Sequence, residues 1–147
     1  AYEIMPSPVG SEMCIRDRKY MEESIAKARK QGYVTTLMER RRDLPDIRSS
    51  NFNLRSFAER TAINTPIQGT AADIMKKAMI DVENVLKQHE LKSHILLQVH
   101  DELVLEVVEK EKDLVAQLVC NAMEKAATLE IPLLAEVKFG KNWAETK

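Results

Sequence analysis

The chain has little of several things that would each mark a class. Two cysteines, Cys14 and Cys120, are too few for a disulfide framework and point to a reducing, cytoplasmic setting. Four glycines and five prolines exclude a collagen-like chain and a Pro/Gly-rich linker. No stretch approaches the roughly 18 uncharged apolar residues of a membrane span, so no membrane partner is expected. Neither sign of charge dominates: 22 basic and 23 acidic residues give a net charge of -1, a total that names no nucleic-acid partner. Residues 1–18 lack the apolar core and small-residue cleavage site of a signal peptide. There is no internal repeat. What is present is globular: 147 residues, 44% hydrophobic and 31% charged, fit one domain. A chain of this size buries about 68–70% of its unfolded surface, enough for a core.

The near-neutral total hides two segments of opposite sign. Residues 40–60 hold six arginines, Arg40, Arg41, Arg42, Arg48, Arg55 and Arg60, opposed only by Asp43, Asp46 and Glu59. Residues 101–113 hold six acids against Lys110 and Lys112. Guanidinium groups bind phosphate oxygens through paired donors, which an ammonium cannot do. The plainer reading of the first segment is a solvated surface loop.

Residues 1–18 have no clear period and read as a loop or as foreign sequence, with Pro6, Pro8 and Gly10 among them. A helix is expected over 18–31, with Met21, Ile25 and Ala28 on one face and Gly32 as its stop. Residues 33–37 read as a strand leading into a short hairpin or loop. Ser56-Phe57-Ala58-Glu59 and Thr65-Pro66-Ile67-Gln68 are capping-box patterns, which predict two successive helices. The second should run to about His89 with Ile67, Ala71, Ile74, Ala78, Val82 and Val85 facing the core. Gly69 within it costs about 1 kcal/mol relative to alanine, which suggests a close approach to the backbone there. Residues 95–99 and 103–107 are apolar runs around a polar break, expected as an antiparallel hairpin with both strands largely buried. A helix over 110–128, with Leu114, Leu118, Ala122 and Ala126 inward, and a last strand over 133–139 complete the order. The expected class is α+β, with an antiparallel sheet covered on one face by helices.

Asp101 and Glu102 lie between two of the most apolar segments. Carboxylates beside buried strands call for a partner or a metal, and hard divalent cations take oxygen ligands together with substrate phosphates. The competing reading is a solvent-exposed hairpin tip, where Asp is common. His100 adds a donor, but no second histidine or cysteine has a zinc-ligand spacing with it. Arg60, Asn64 and Gln68 recur at steps of four. If the two helices are collinear across Pro66, these residues make a stripe able to reach bases, sugars and phosphates. Otherwise they line an exposed helix face.

Together these residues resemble the C-terminal palm segment of the bacterial DNA polymerase I family (family A). Gln98-Val99-His100-Asp101-Glu102-Leu103 resembles that family's third polymerase motif. The run from Arg60 through Asn64, Pro66, Gln68 and Gly69 to Asp73 resembles its helix contacting template and primer. Gly32-Tyr33-Val34-Thr35-Thr36, then Arg40-Arg41-Arg42 and Leu44-Pro45-Asp46-Ile47, also fit, as does Gly140-Lys141-Asn142-Trp143. The resemblance covers residues 19–147.

It implies a palm sheet with a catalytic β-hairpin. It also implies template-directed transfer of a nucleotide from a dNTP to a primer 3′-hydroxyl, in DNA replication and repair. Asp101 would be a catalytic metal ligand and Glu102 a weaker one, with two Mg²⁺ ions as cofactors. His100 and Gln98 would lie near the primer terminus. Arg60, Asn64 and Gln68 would contact primer–template DNA, and Arg41 and Arg42 are further nucleic-acid contacts. The location implied is the bacterial cytoplasm, with the nucleoid. The family's first palm motif, which supplies an essential metal-binding aspartate, and its fingers helix have no counterpart here; both belong upstream of residue 19. Residues 1–18 match nothing in the family, and residues 8–18 resemble translated sequencing-adapter sequence, so 1–18 are read as foreign. The chain alone is therefore expected to be inactive, and unpaired palm strands to favour self-association. Two other readings of the same residues are a non-catalytic nucleic-acid-binding module and a small α+β protein-interaction domain.

Overall fold

Gly32 ends the first helix as its sequence requires, with φ +81 and its N–H donating to the Ala28 carbonyl at 2.8 Å. The computed structural model describes residues 12–146. They fall into two compact units, Ala1–Ala71 and Ala72–Lys147. Helix α1 is Glu12–Gln31, so it begins before residue 18, within the stretch read as loop. Ion pairs one turn apart, Arg18–Glu22 at 3.0 Å and Lys19–Glu23 at 3.8 Å, support this exposed part. The loop read over residues 1–11 lies outside the described residues. Met21 is exposed rather than inward, and only Ala28 of the expected face is fully covered.

Strands β1 (Tyr33–Thr35) and β2 (Arg41–Asp43) pair antiparallel, with Val34 opposite Arg42. The expected strand over 33–37 stops at Thr35 because the chain turns: Thr36 N–H bonds the Arg40 carbonyl at 3.0 Å and Glu39 takes φ +63. A 3₁₀ turn, Pro45–Arg48, follows. Arg48 donates to the Arg29 and Lys30 carbonyls at 2.6 and 2.9 Å, satisfying acceptors at the end of α1. Ala28, Val34, Leu44, Ile47, Ala58 and Ala62 form this unit's core.

The two helices expected around Pro66 are one, α2, Phe52–Gln88. Its cap is Asn51, not Ser56: the Asn51 side-chain oxygen accepts the Asn53 N–H at 2.9 Å and the Leu54 N–H at 3.4 Å. Proline at an interior position removes one ladder bond and crowds a carbonyl, at about 3 kcal/mol, yet its fixed φ is helical. Here the helix continues through it. The buried face matches expectation at Ala78 and Val82 and differs elsewhere. Ile67 is 60% exposed and Ala71 is exposed, while Met75, Ala78, Val82 and Leu86 are covered.

Gly69 is a close approach, as its cost in the helix suggested. A Cβ there would lie 2.7 Å from the Thr36 methyl and 3.4 Å from the Arg40 guanidinium. Thr36 is buried and its hydroxyl is bonded to the Arg40 N–H at 3.1 Å, so it cannot swing away. Gly69→Ala should therefore destabilise the protein by about 1–2 kcal/mol, overpacking outweighing the gain in helix propensity. A higher midpoint in thermal melts would contradict this.

In the second unit α2 ends with Glu90 at φ +53 and the Leu91 N–H on the Leu86 carbonyl at 3.1 Å. Strands β3 (His94–Val99) and β4 (Glu102–Glu106) form the expected antiparallel hairpin. A bulge between Ile95 and Leu97 leaves Leu96 unpaired. Ile95, Leu103, Leu105 and Val107 pack on Val82, Leu86, Val115, Val119 and Ala122. The strands are not buried on both faces, since Leu96 and Leu97 are 55% and 42% exposed. An isolated pair of strands has one covered face only.

Helix α3 is Lys112–Glu124, shorter than expected at both ends. Its inward stripe is Val115, Val119 and Ala122; Leu114 is 43% exposed. The region expected as a last strand, 133–139, has no regular structure, because no described strand offers it a ladder. It is tied to α3 by the Ala135 N–H on Glu124 at 3.1 Å and by the Cys120 thiol on the Ala135 carbonyl at 3.6 Å. The class is α+β as expected, with antiparallel hairpins packed on helices. No helix among the described residues is long and apolar enough to cross a membrane.

Glu111 fastens the start of β3. Its carboxylate accepts the Ser93 hydroxyl at 2.6 Å, the Lys92 N–H at 3.1 Å and the Ser93 N–H at 3.0 Å. The Ser93 hydroxyl, then the Lys92 N–H, hold this carboxyl below its ordinary value of 4.5. A lowered folded value gives stability that is full above the unfolded value and lost as pH falls through the folded one. Glu111→Gln should thus destabilise the protein near neutrality, and the gap from the unaltered chain should narrow below about pH 4. Denaturant melts at both pH values check this; a gap of constant size would refute it.

Candidate nucleic-acid interface

The six arginines divide by what they touch. Arg48 caps α1, as above. Arg55 donates to the Ser49 carbonyl at 2.9 Å and faces Glu59 at 3.9 Å, and Glu59 also pairs with Arg29. Arg40 donates to the Gly69 carbonyl at 3.1 Å. Arg41 lies over the Tyr33 ring at 3.9 Å and pairs with Asp43 at 2.7 Å. Arg42, the next residue on β2, points the other way, as alternate strand residues do.

Arg42 lines a groove of about 250 Å³ with Phe57, Arg60, Thr61, Asn64, Thr65 and Gln68. Arg60, Asn64 and Gln68 share one groove because α2 is continuous through Pro66. No hydrogen-bond or ion-pair partner engages Arg42 or Arg60 among the described residues. Two free guanidiniums beside two amides make a surface able to hold phosphates and base or sugar edges. The sequence reading missed Phe57, which is 61% exposed in this groove. The signal for it was an aromatic residue one helical step before Arg60, masked by its place in a capping-box pattern.

The other expected residues meet at the tip of the β3–β4 hairpin. Val99 pairs with Glu102, so His100 and Asp101 form a two-residue turn, with His100 at φ +53. The Gln98 side-chain amide donates to the His100 carbonyl at 2.5 Å and steadies the turn. Asp101 and Glu102 are both exposed, and neither is ion-paired among the described residues. No group of three or more His, Cys, Asp or Glu side chains placed to hold a metal ion occurs among the described residues. The donor set is two hard carboxylates, the oxygen donors that a hard divalent cation takes as part of its coordination shell.

Comparison with known proteins places the chain in a family. The family described as "DNA polymerase family A" matches residues 15–145. The chain belongs to DNA polymerase family A. This family A chain is 54% identical over 130 residues to DNA polymerase I of Bacillus caldotenax, and 53% identical to that of Bacillus subtilis (strain 168). Each match covers 88% of the chain and 15% of the relative. Among solved structures it is similar to the POL domain of Pol1 from M. smegmatis in complex with DNA primer-template and dNTP. That match has a TM-score of 0.86 and 48% identity, over 88% of this chain and 23% of that one. The family A chain thus spans a minor part of the proteins it matches.

Proposed function

We propose that this chain is the C-terminal palm part of a DNA-directed DNA polymerase, transferring a nucleotide from a dNTP to a primer 3′-hydroxyl in bacterial DNA replication and repair. The observation that carries the reading is the groove, where Arg42 on one element meets Arg60, Asn64 and Gln68 on another, in a chain of family A. Residues 19–147 supply the palm; the family match begins slightly earlier, at residue 15, within α1. The protein works in the cytoplasm, with the nucleoid.

In the mechanism, Arg42 and Arg60 bind backbone phosphates, and Arg41 is a weaker contact because Asp43 already holds it. Asn64 and Gln68 present amides that donate and accept toward base or sugar edges. Gln98 near the end of β3 and His100 in the hairpin turn face the primer terminus. Asp101 and Glu102 would hold Mg²⁺, with Asp101 the principal ligand. Bound there, Mg²⁺ would supply positive charge to offset the negative charge on the phosphoryl oxygens while the primer hydroxyl displaces pyrophosphate. Two carboxylates do not complete a two-ion site, so the chain alone extends no primer. Exposed apolar residues such as Leu96, Ile131 and Leu134, at 55%, 77% and 84%, favour self-association.

Binding of the chain to a primed duplex tests the groove. Affinity should fall steeply with salt, and Arg60→Ala should weaken binding and lower the slope of log K against log salt by about one. A slope unchanged in Arg60→Ala would remove Arg60 from the phosphate contacts. Binding indifferent to salt would end the nucleic-acid reading in favour of a protein-interaction domain.

A further inference from the structure

The groove is assembled from two elements, and neither alone fixes its width. Arg42 stands on β2; Arg60, Asn64 and Gln68 stand on α2. Besides the apolar core that Val34 and Leu44 share with Ala58 and Ala62, a set of polar contacts joins the 36–40 turn to residues 66–70 of α2. The Thr70 hydroxyl accepts the backbone N–H of Leu37 at 2.9 Å and donates to the Pro66 carbonyl. Arg40 adds a bond to the Gly69 carbonyl at 3.1 Å, and the Thr36 methyl occupies the space that a side chain at 69 would need.

Pro66 gives this clamp its importance. Lacking an N–H, it cannot bond the Ala62 carbonyl, so the backbone ladder of α2 is interrupted across residues 62–66, the turn that holds Asn64. The helix is thus less held by its own bonds in the turn between Arg60 and Gln68 that carries Asn64. The Thr70 hydroxyl donates and accepts at once, so each of its bonds strengthens the other. Its side chain is not among those lining the groove.

We infer that Thr70 is a positioning residue for nucleic-acid binding: through Leu37 it holds the β1–β2 turn, and with it Arg42, at a fixed reach from Arg60, Asn64 and Gln68. A paired guanidinium–phosphate contact tolerates only small displacements, so the clamp acts on affinity without touching DNA. The inference rests on the nucleic-acid reading of the groove, and its test separates the two.

The measurement is fluorescence anisotropy of a labelled primer–template duplex with the full chain at low salt. Thr70→Val keeps the shape and removes the hydroxyl, and should weaken binding about tenfold. Thr70→Ser keeps the hydroxyl and should bind within about twofold of the unaltered chain, a rescue that a packing role for the methyl would not give. Thr70→Ala takes the place of the valine variant if circular dichroism shows that it does not fold. Thr70→Val combined with Arg42→Ala should bind about as weakly as Arg42→Ala alone, because the clamp works through Arg42. Binding undiminished by Thr70→Val, or effects that add, would overturn the inference if Arg60→Ala still weakens binding. If Arg60→Ala also leaves binding unchanged, the groove is not a nucleic-acid site and both readings fall.

Discussion

Asp101→Ala should lower primer extension about 10³-fold or more when this chain replaces the matching segment of Bacillus subtilis DNA polymerase I. That size follows from its position. Asp101 sits in a two-residue turn, exposed, with no cation paired to it among the described residues, so its charge is available to a metal rather than to the fold. The alanine leaves the ladder from Val99–Glu102 downward intact, and binding to primed duplex should remain within about threefold of the parent. Asp101→Asn, which keeps the shape and removes the charge, should lose nearly as much. Glu102→Gln should lose less, about tenfold, as a secondary ligand. Steady-state extension with Mg²⁺, next to a binding titration, reads all of these. Extension by the Asp101→Ala chimera within tenfold of its parent would remove Asp101 from the metal site.

The largest effect on stability is expected at Val82. It is fully buried where α2 meets α3 and the hairpin, in one cluster with Leu86, Val115, Val119 and Ala122. Val82→Asp puts a carboxylate there with no described cation in the cluster to meet it. An unpaired buried charge of this kind, added to lost packing, costs about 4 kcal/mol or more. That is comparable with the whole stability of a small domain. Hydrogen exchange should show protection lost across α3 and the hairpin. Val82→Ala leaves a small cavity instead and should lose about 1–3 kcal/mol. A full-strength unfolding transition in Val82→Asp would mean that this cluster does not hold the unit together.

How much could be read beforehand depended on whether the deciding interaction was local. The hairpin was legible because two apolar runs flank a polar pair, and Gly32 because a helix end needs a residue tolerant of positive φ. Gly69 was legible as an oddity, since a glycine within a helix asks for a neighbour; that the neighbour is Thr36 was not. Pro66 misled because proline suits a helix start as well as it tolerates an interior. In α3, Leu114–Leu118 and Val115–Val119 have the same spacing, and only the partner surface chooses between them. The expected strand over 133–139 has strand-forming residues, but a ladder needs a second strand.

The site divides in the same way. Residue types and spacing singled out Arg60, Asn64, Gln68 and the Asp101–Glu102 pair. They could not separate Arg42, which faces the groove, from Arg41, which lies on Tyr33 and pairs with Asp43. Arg48 and Arg55 looked equally available, yet they are engaged by backbone carbonyls of their own chain. Phe57 was hidden within a capping-box pattern that the helix does not use.

The unpaired Leu96 has a consequence for how the gene can change. Ile95 faces the core with Leu105, and Gln98 pairs with Leu103, although an unbroken strand would set Ile95 and Gln98 on opposite faces. Leu96 absorbs the difference. Loss of that one codon would leave a regular ladder with every other side chain still on its present face. Gain of a codon in β4, which has no such residue, would turn one side of the strand outward. The hairpin therefore carries one residue of slack, all of it on the strand leading into His100 and Asp101.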